Sequence, residues 1–251
     1  MLDRKDTERY GPPGFHLAQK EKDYVQHWVL TFLSRSGFKG VFKGGTCLQK
    51  AFGLPRYSED LDFTLDEASE PDFEAISAFL SSVGFSGLDW KRESGDASTS
   101  ARLRYRGPLY AGTLLSEGTI LLEFSKREKI ILEAVVATIT PPYPDLLPYQ
   151  LRIADKDEIA AEKIRALMTR SSARDLFDLY FLIRQEANIR KEIVNAKLRY
   201  YGMSFEFRQF ERNIGKLKVR WGREMTALTT NAPDYKVVSK EVLEVIRKHT
   251  A

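Results

Sequence analysis

The stretch Lys43–Asp62 reads KGGTCLQKAFGLPRYSEDLD and is the part of the sequence that decides the predicted fold. It begins with a glycine pair, Gly44 and Gly45, that leads from a predicted strand into a short predicted helix. It ends with Asp60 and Asp62 at alternate positions of an apolar run, which predicts a strand with both carboxylates on one face. The two ends together are suited to holding a nucleotide phosphate beside a metal ion.

The two carboxylates indicate a cation site. On an extended chain the Cα atoms of Asp60 and Asp62 lie roughly 6 to 7 Å apart, and carboxylates that close repel each other unless a cation lies between them. Mg²⁺ is held in proteins by one or two carboxylates together with substrate phosphate oxygens. The alternative is that both residues line the solvated face of an edge strand.

The glycine pair indicates a phosphate-binding turn. Glycine lets the backbone approach a ligand without interference from a Cβ atom. Thr46 stands at the predicted start of the helix, where its hydroxyl would serve as N-cap or phosphate donor, and free N–H groups at a helix start favour anions. The alternative is an ordinary tight turn before a helix.

The elements around this stretch predict a sheet flanked by helices. Helices are predicted over 15–35 and 71–83 from apolar spacing and from their proline and glycine boundaries. Strands are predicted at Leu88–Glu93, Ser100–Arg106, Thr119–Ser125 and Lys129–Thr138. Arg102, Arg104 and Arg106 alternate along one of them and therefore share a face, which is either solvated or in contact with a triphosphate or RNA.

A change of periodicity separates the two ends of the chain. Four prolines between 140 and 150 interrupt regular structure, and we predict the domains 1–145 and 146–251. Asp155 is expected to cap a helix that runs to Thr169. Lys163 and Arg170, two turns apart, would lie on one face and could hold triphosphate charge, or they form part of a solvated stripe.

Charge and composition restrict the class of protein. Hydrophobic residues make up 43% and charged residues 29%, as in globular proteins. We expect neither a membrane span nor a signal peptide, and the single cysteine suits the reducing cytoplasm. Residues 1–150 carry 18 Lys+Arg against 21 Asp+Glu, net −3, and residues 151–251 carry 21 against 14, net +7. Basic and aromatic residues interleave over 196–225, as in RNA-binding surfaces and equally in amphipathic helices that bury aromatics and expose cations.

The combined motifs resemble a known family. The strings KGGTxL at 43–48 and RxSxDxDF at 56–63 are similar to the first motif of the AbiEii/AbiGii (MenT-like) toxin family, within the DNA polymerase β-like nucleotidyltransferases. The run TILLEFSKRE resembles the second motif, and EKIRALMTR followed by RDLFDLYFL resembles the third and fourth. The resemblance covers roughly residues 41 to 183.

This resemblance implies an α/β (α+β) fold, in which a polymerase-β-like nucleotidyltransferase core with a mixed sheet precedes a helical C-terminal region, with the active site between them. Asp60 and Asp62 would bind Mg²⁺ or Mn²⁺, with Glu123 as third ligand or general base. A strand-edge glutamate paired with Lys126 or Arg127 is the alternative for Glu123. The implied nucleotide-binding residues are Gly44, Gly45, Thr46, Arg56, Ser58, Lys163 and Arg170. Asp175, the implied fourth-motif aspartate, would orient Lys163 or Arg170, and Asp178 is the second candidate for that role.

The implied function is transfer of a nucleoside monophosphate from an NTP, with tRNA as the expected acceptor. The protein would be the toxin component of a toxin–antitoxin or abortive-infection system, with a cognate antitoxin protein as its partner. One alternative is nucleotidylation of a small molecule or a protein hydroxyl. Another is a non-catalytic nucleotide- or RNA-binding regulator. Three converging carboxylates argue against the last, because binding alone does not need them.

Overall fold

The computed structural model describes residues 1–65 and 70–250, which form two compact units. The first unit contains Met1–Gly53, the described part of Tyr57–Lys129, and Ala134–Ile153. The second contains two short segments, Leu54–Arg56 and Ile130–Glu133, and the chain from Ala154 onward.

The first unit is a mixed sheet with helices. Its helices are α1 (Arg4–Tyr10), α2 (Leu17–Arg35), α3 (Gly44–Phe52) and α4 (Phe73–Ser82). Its strands are β1 (Val41–Lys43), β2 (Leu61–Thr64), β3 (Ser86–Ser94), β4 (Ser98–Arg106), β5 (Gly118–Ser125), β6 (Val135–Ile139) and β7 (Tyr149–Ile153).

The strands form one sheet in the order β3-β4-β5-β2-β1-β7-β6. Strand β2 runs parallel to β5 and antiparallel to β1, and β1 runs parallel to β7. Strands β2 and β5 are therefore interior strands. This excludes the edge-strand alternative for Asp62.

Side-chain alternation explains why these segments form strands. Along β4, Ala101, Leu103 and Tyr105 are buried while the arginines between them face away from that core. The neighbouring strands contribute Phe63 and Phe124, whose rings stack at a centroid distance of 5.5 Å. The buried aromatic side fixes the register, because a shift by one residue would place the charged side in the core.

The second unit is helical. It contains α5 (Lys156–Thr169), α6 (Ala173–Arg184), α7 (Lys191–Arg199), α8 (Phe207–Lys216), α9 (Trp221–Thr226) and α10 (Tyr235–Thr250). The predicted cap of α5 is confirmed, because the Asp155 side chain accepts a hydrogen bond from the Asp157 main-chain nitrogen.

The structure differs from the sequence prediction at two boundaries. The first unit continues to Ile153 instead of ending at 145, because Tyr149–Ile153 is a sheet strand paired with both β1 and β6. The strand predicted at Lys129–Thr138 begins only at Val135, since Ile130–Glu133 belongs to the other unit. Within the described residues, no helix is both long and apolar enough to cross a membrane.

Candidate active site

A row of polar side chains crosses the sheet of the first unit at right angles to its strands. Asp62 on β2 stands beside Glu123 on β5 and opposite Lys43 on β1. Glu123 in turn stands opposite Ser100 on β4, and Ser100 opposite Glu93 on β3. Residues in register on adjacent strands project from the same face. We call these five residues the transverse row, and the sheet register thus places two of the three predicted carboxylates side by side.

The glycine turn lies against one of these carboxylates. Gly44 has a φ of +75°, a conformation that favours glycine. A Cβ atom at this position would lie 2.1 Å from Asp62 Oδ2. The absence of a Cβ atom at Gly44 therefore lets the Asp62 carboxylate lie close to the backbone at the start of α3.

The predicted N-terminus of α3 was two residues too late. The helix begins at Gly44, and the Thr46 hydroxyl, instead of capping it, donates a 2.5 Å hydrogen bond to the main-chain carbonyl of Asp60. Thr46 is fully buried. Ser58 is held through its main chain, whose nitrogen donates to Gln49 Oε1 at 3.0 Å and whose carbonyl accepts from Gln26 at 3.2 Å. These bonds fix the loop before β2 to both α2 and α3.

The donor chemistry of this face fits a hard cation in part. Asp62 and Glu123 supply oxygen ligands from adjacent strands, and Mg²⁺ in nucleotide sites uses one or two carboxylates plus phosphate oxygens and waters. Asp60 precedes β2 by one residue. Among residues 1–65 and 70–250, no three acidic, histidine or cysteine side chains form a ready-made metal site. The fit is that of two protein carboxylates completed by a substrate.

The second unit holds a buried ion-pair network. Lys163 Nζ lies 2.7 Å from Asp178 Oδ2 and 3.2 Å from Asp175 Oδ1. Asp178 also accepts two hydrogen bonds from the Arg56 guanidinium, at 2.6 and 2.7 Å. Arg170 Nε lies 3.0 Å from Asp175 Oδ2. Both aspartates are fully buried.

Electrostatics keep this network ionised. Burial opposes the charge on Asp175, but Lys163 and Arg170 outweigh it and lower the Asp175 pKa to about 2. Burial likewise opposes the charge on Asp178, and Arg56 and Lys163 hold its pKa below the usual range. The two carboxylates raise the pKa of Lys163 against the effect of its own burial. Lys163 is thus a buried, charged residue, which excludes the solvated-stripe alternative for it.

The predicted nucleotide-binding residues of this unit differ in how far they are exposed. Arg56 is 2% exposed and its guanidinium is engaged by Asp178. Arg170 follows the end of α5 in an extended conformation, and more than half of its side chain is exposed. Asp175 and Asp178 both contact Lys163, whereas the sequence favoured Asp175 for this role and gave Asp178 as the second candidate.

The C-terminal helices α8 and α9 bury two of their aromatic residues and expose several of their cations. Phe210 and Trp221 are buried, whereas Arg208, Arg212 and Lys218 are exposed. Tyr200 and Tyr201 are exposed by 36% and 37%. The amphipathic alternative therefore accounts for α8 and α9.

Sequence reasoning missed an ion pair beside the glycine turn. Lys43 Nζ lies 3.4 Å from Glu128 Oε2, and both residues are buried. Lys43 opens the glycine motif and Glu128 ends the run TILLEFSKRE, so both stood within motif sequences but gave no signal of pairing. The pair places a buried positive charge in the transverse row directly opposite Asp62.

This fold, with a glycine turn against paired carboxylates, defines a nucleotidyltransferase-type α/β protein. The family model described as "Nucleotidyl transferase AbiEii toxin, Type IV TA system" matches residues 32–245. The chain therefore belongs to the AbiEii nucleotidyltransferase toxin family. This family implies an NTP substrate and an antitoxin partner.

Solved structures agree with the fold. The chain is similar to MenT4, the nucleotidyltransferase toxin Rv2826c from Mycobacterium tuberculosis H37Rv, with a TM-score of 0.65 and 24% identity over 100% of this chain and 89% of that one. A putative nucleotidyltransferase from Helicobacter pylori gives a TM-score of 0.63 at 23% identity, over 91% of this chain and 94% of that chain. JHP933 from Helicobacter pylori gives 0.62 at 22%, over 91% of each chain. No curated protein sequence matches significantly.

Proposed function

We propose that this protein is a metal-dependent cytoplasmic toxin that transfers a nucleoside monophosphate from an NTP to tRNA. The observation that carries the proposal is the register that sets Asp62 beside Glu123, with Gly44 against the Asp62 carboxylate. A binding protein has no need of adjacent carboxylates that repel each other. A phosphoryl-transfer site uses them, because metal-held oxygens are aligned for displacement.

In the proposed reaction, each candidate site residue of the first unit has a role. The acceptor hydroxyl oxygen bonds to the α-phosphorus, the bond from that phosphorus to the bridging oxygen breaks, and pyrophosphate leaves. Asp60 and Asp62 would hold Mg²⁺ or Mn²⁺, which supplies charge neutralisation at the phosphoryl oxygens when bound. Glu123 would be either the third metal ligand or the base that accepts the hydroxyl proton. The main-chain N–H groups of Gly44, Gly45 and Thr46, at the start of α3, would bind phosphate.

The second unit supplies the cations of the proposal. Lys163 and the half-exposed Arg170 would contact the triphosphate, and Asp175 contacts both of them. An arginine held by a buried carboxylate loses less freedom on binding phosphate than a free one. Arg56 would affect the position of Lys163 indirectly, because both residues pair with Asp178.

The acceptor is proposed from charge. Residues 151–251 carry a net charge of +7, which favours a polyanion. The experiment incubates purified protein with Mg²⁺, total tRNA and each α-labelled NTP in turn. We expect labelled tRNA with wild type and none with Asp62→Asn or Glu123→Gln.

Glu93→Gln is the matched control. Glu93 ends the same transverse row but lies on the edge strand β3 with 70% of its side chain exposed, so its loss should leave labelling intact. Label on the protein itself would favour a protein hydroxyl as acceptor. Full activity of the Asp62→Asn variant would refute the catalytic proposal.

The toxin assignment has its own test. Expression of wild type is expected to arrest growth, and Asp62→Asn is expected to relieve the arrest at equal soluble protein. Co-expression of the cognate antitoxin should restore growth. Equal growth with wild type and variant would contradict the assignment.

A further inference from the structure

Three arginines on β4 project from the same face of the sheet as the proposed catalytic carboxylates. Ser100, Arg102 and Arg104 alternate on this strand, and Ser100 belongs to the transverse row. In register, Arg102 stands opposite Leu121 and Arg104 opposite Thr119 on β5. Arg102 is therefore the arginine nearest to Glu123 along the strand.

Two of the three arginines are already paired. Arg104 donates to Asp89 at 2.8 Å and lies 3.5 Å from Glu117. Arg106 donates to Glu117 at 2.8 Å, and its guanidinium lies 4.9 Å from the centroid of the Tyr110 ring. Both arginines therefore already have partners within the protein, and their charges have a structural role.

Arg102 differs from them. It is exposed, and within residues 1–65 and 70–250 it has neither an ion pair nor a side-chain hydrogen bond. Lys91, its opposite residue on β3, is paired with Glu93. An unpaired guanidinium presents five donors in a planar fork that matches phosphate.

The register gives the position of Arg102 relative to the reacting centre. As the diagonal neighbour of Glu123, its Cα lies about 7 to 8 Å from that residue, a separation that long side chains span. The glycine turn lies on the other side of the carboxylates, because it follows β1, which adjoins β2. Across the sheet the order is thus glycine turn, Asp62, Glu123, Arg102.

This order separates donor from acceptor. In phosphoryl transfer the attacking and leaving oxygens are roughly in line on opposite sides of the phosphorus. With the triphosphate at the glycine turn, the acceptor approaches from the β4 side. We propose that Arg102 binds a phosphate group of the acceptor next to the hydroxyl that attacks, so that the acceptor must be a phosphate-bearing molecule such as an RNA strand. This inference rests on the proposed function.

The test measures binding, which requires no catalysis. The affinity of fluorescently labelled total tRNA is measured by anisotropy across a salt series, without metal or nucleotide, for wild type, Arg102→Ala and Arg102→Lys. We expect Arg102→Ala to weaken tRNA binding about tenfold, as for loss of a charged hydrogen bond. The slope of log affinity against log salt should fall by about 1, and Arg102→Lys should keep the slope.

Arg104→Ala is the matched control. It removes the same charge from the same face of the same strand, but from an arginine that Asp89 and Glu117 already engage. We expect its tRNA affinity to stay within about twofold of wild type. The affinity for NTP, measured separately, should be unchanged in both alanine variants.

Each outcome decides a different point. Equal tRNA affinities for Arg102→Ala and Arg104→Ala overturn the inference, even when wild type labels tRNA. Loss of NTP affinity in Arg102→Ala also overturns it, because the guanidinium would then bind the triphosphate. Absence of tRNA binding by wild type overturns the inference that the acceptor bears phosphate. A fourth outcome combines two results: Arg102→Ala binds tRNA more weakly than wild type, yet wild type never labels tRNA. That outcome supports the phosphate contact and refutes the proposed transfer.

Discussion

The close approach of Gly44 to Asp62 predicts that a single added methyl group will slow the reaction on the order of 100-fold. In Gly44→Ala the added Cβ would lie 2.1 Å from Asp62 Oδ2, whereas ordinary contacts begin near 3.4 Å. The carboxylate must therefore move by about 1 Å, and a 1 Å misplacement costs on the order of 100-fold in rate. The positive φ adds about 1 kcal/mol of backbone strain.

Gly53 provides the control for backbone strain. It lies at the other end of α3 with a φ of +76°, and a Cβ atom there would meet nothing within 4 Å. Gly53→Ala should therefore lose about 1 kcal/mol in the free energy of unfolding with little change in rate. The assay is the initial rate of nucleotidyl transfer, together with thermal unfolding of both variants. Equal rates for Gly44→Ala and Gly53→Ala would refute the argument that Gly44 positions the carboxylate.

Three further predictions concern the second unit. Asp178→Asn should lower the free energy of unfolding by about 3 kcal/mol, or Tm by roughly 10 °C, because Arg56 and Lys163 lose their shared buried counter-ion. The folded pKa of Asp175, about 2, lies below its ordinary value of 3.8, so its carboxylate stabilises the fold at neutral pH by about 2 kcal/mol. That contribution should be lost as pH falls from about 4 to about 2, and Asp175→Asn should remove this part of the pH dependence in urea unfolding measured across the acid range. Lys197→Met should lower the free energy of unfolding by about 3 kcal/mol in the same measurement, because it leaves buried carboxylates on α5 without their cation.

An exposed ion pair distinguishes these effects from a general loss of charge. Arg184 and Glu241 pair at 3.2 Å with much of both side chains in solvent. Glu241→Gln should change the free energy of unfolding by less than about 1 kcal/mol. Losses of the same size for Glu241→Gln and Asp178→Asn would contradict the argument from burial.

The sequence predicted where strands lie along the chain better than it predicted which strands pair with each other. Alternation placed the strands that become β3, β4 and β5 to within two residues. Strands β4 and β5 each have a buried and an exposed side, and on β3 the half-buried Leu88 and Trp90 alternate with exposed residues. It did not assign 149–153 to the sheet. That strand lies just beyond a proline-rich segment, and nothing local indicates that it pairs with β1, more than a hundred residues earlier.

The same limit applies to the site. Spacing predicted Asp60 and Asp62 on one strand, whereas β2 begins at Leu61 and contains only Asp62. Only the parallel register with β5 sets Glu123 beside Asp62. Register depends on which strands meet, which is a property of the whole sheet and not of either segment. The ion pair between Lys43 and Glu128 was missed for this reason, since 85 residues separate its partners.

Arg56 shows how a motif can record folding as well as chemistry. Its place in RxSxDxDF implied contact with nucleotide, yet its guanidinium makes a bidentate pair with fully buried Asp178. Desolvating an arginine is costly unless a carboxylate compensates it, so this pair ties the segment Leu54–Arg56 to α6 within the second unit. Under the proposed function, Arg56 would affect the reaction through Lys163, because both residues pair with Asp178. Loss of Arg56 should therefore lower stability together with activity, because it removes a buried partner of Asp178.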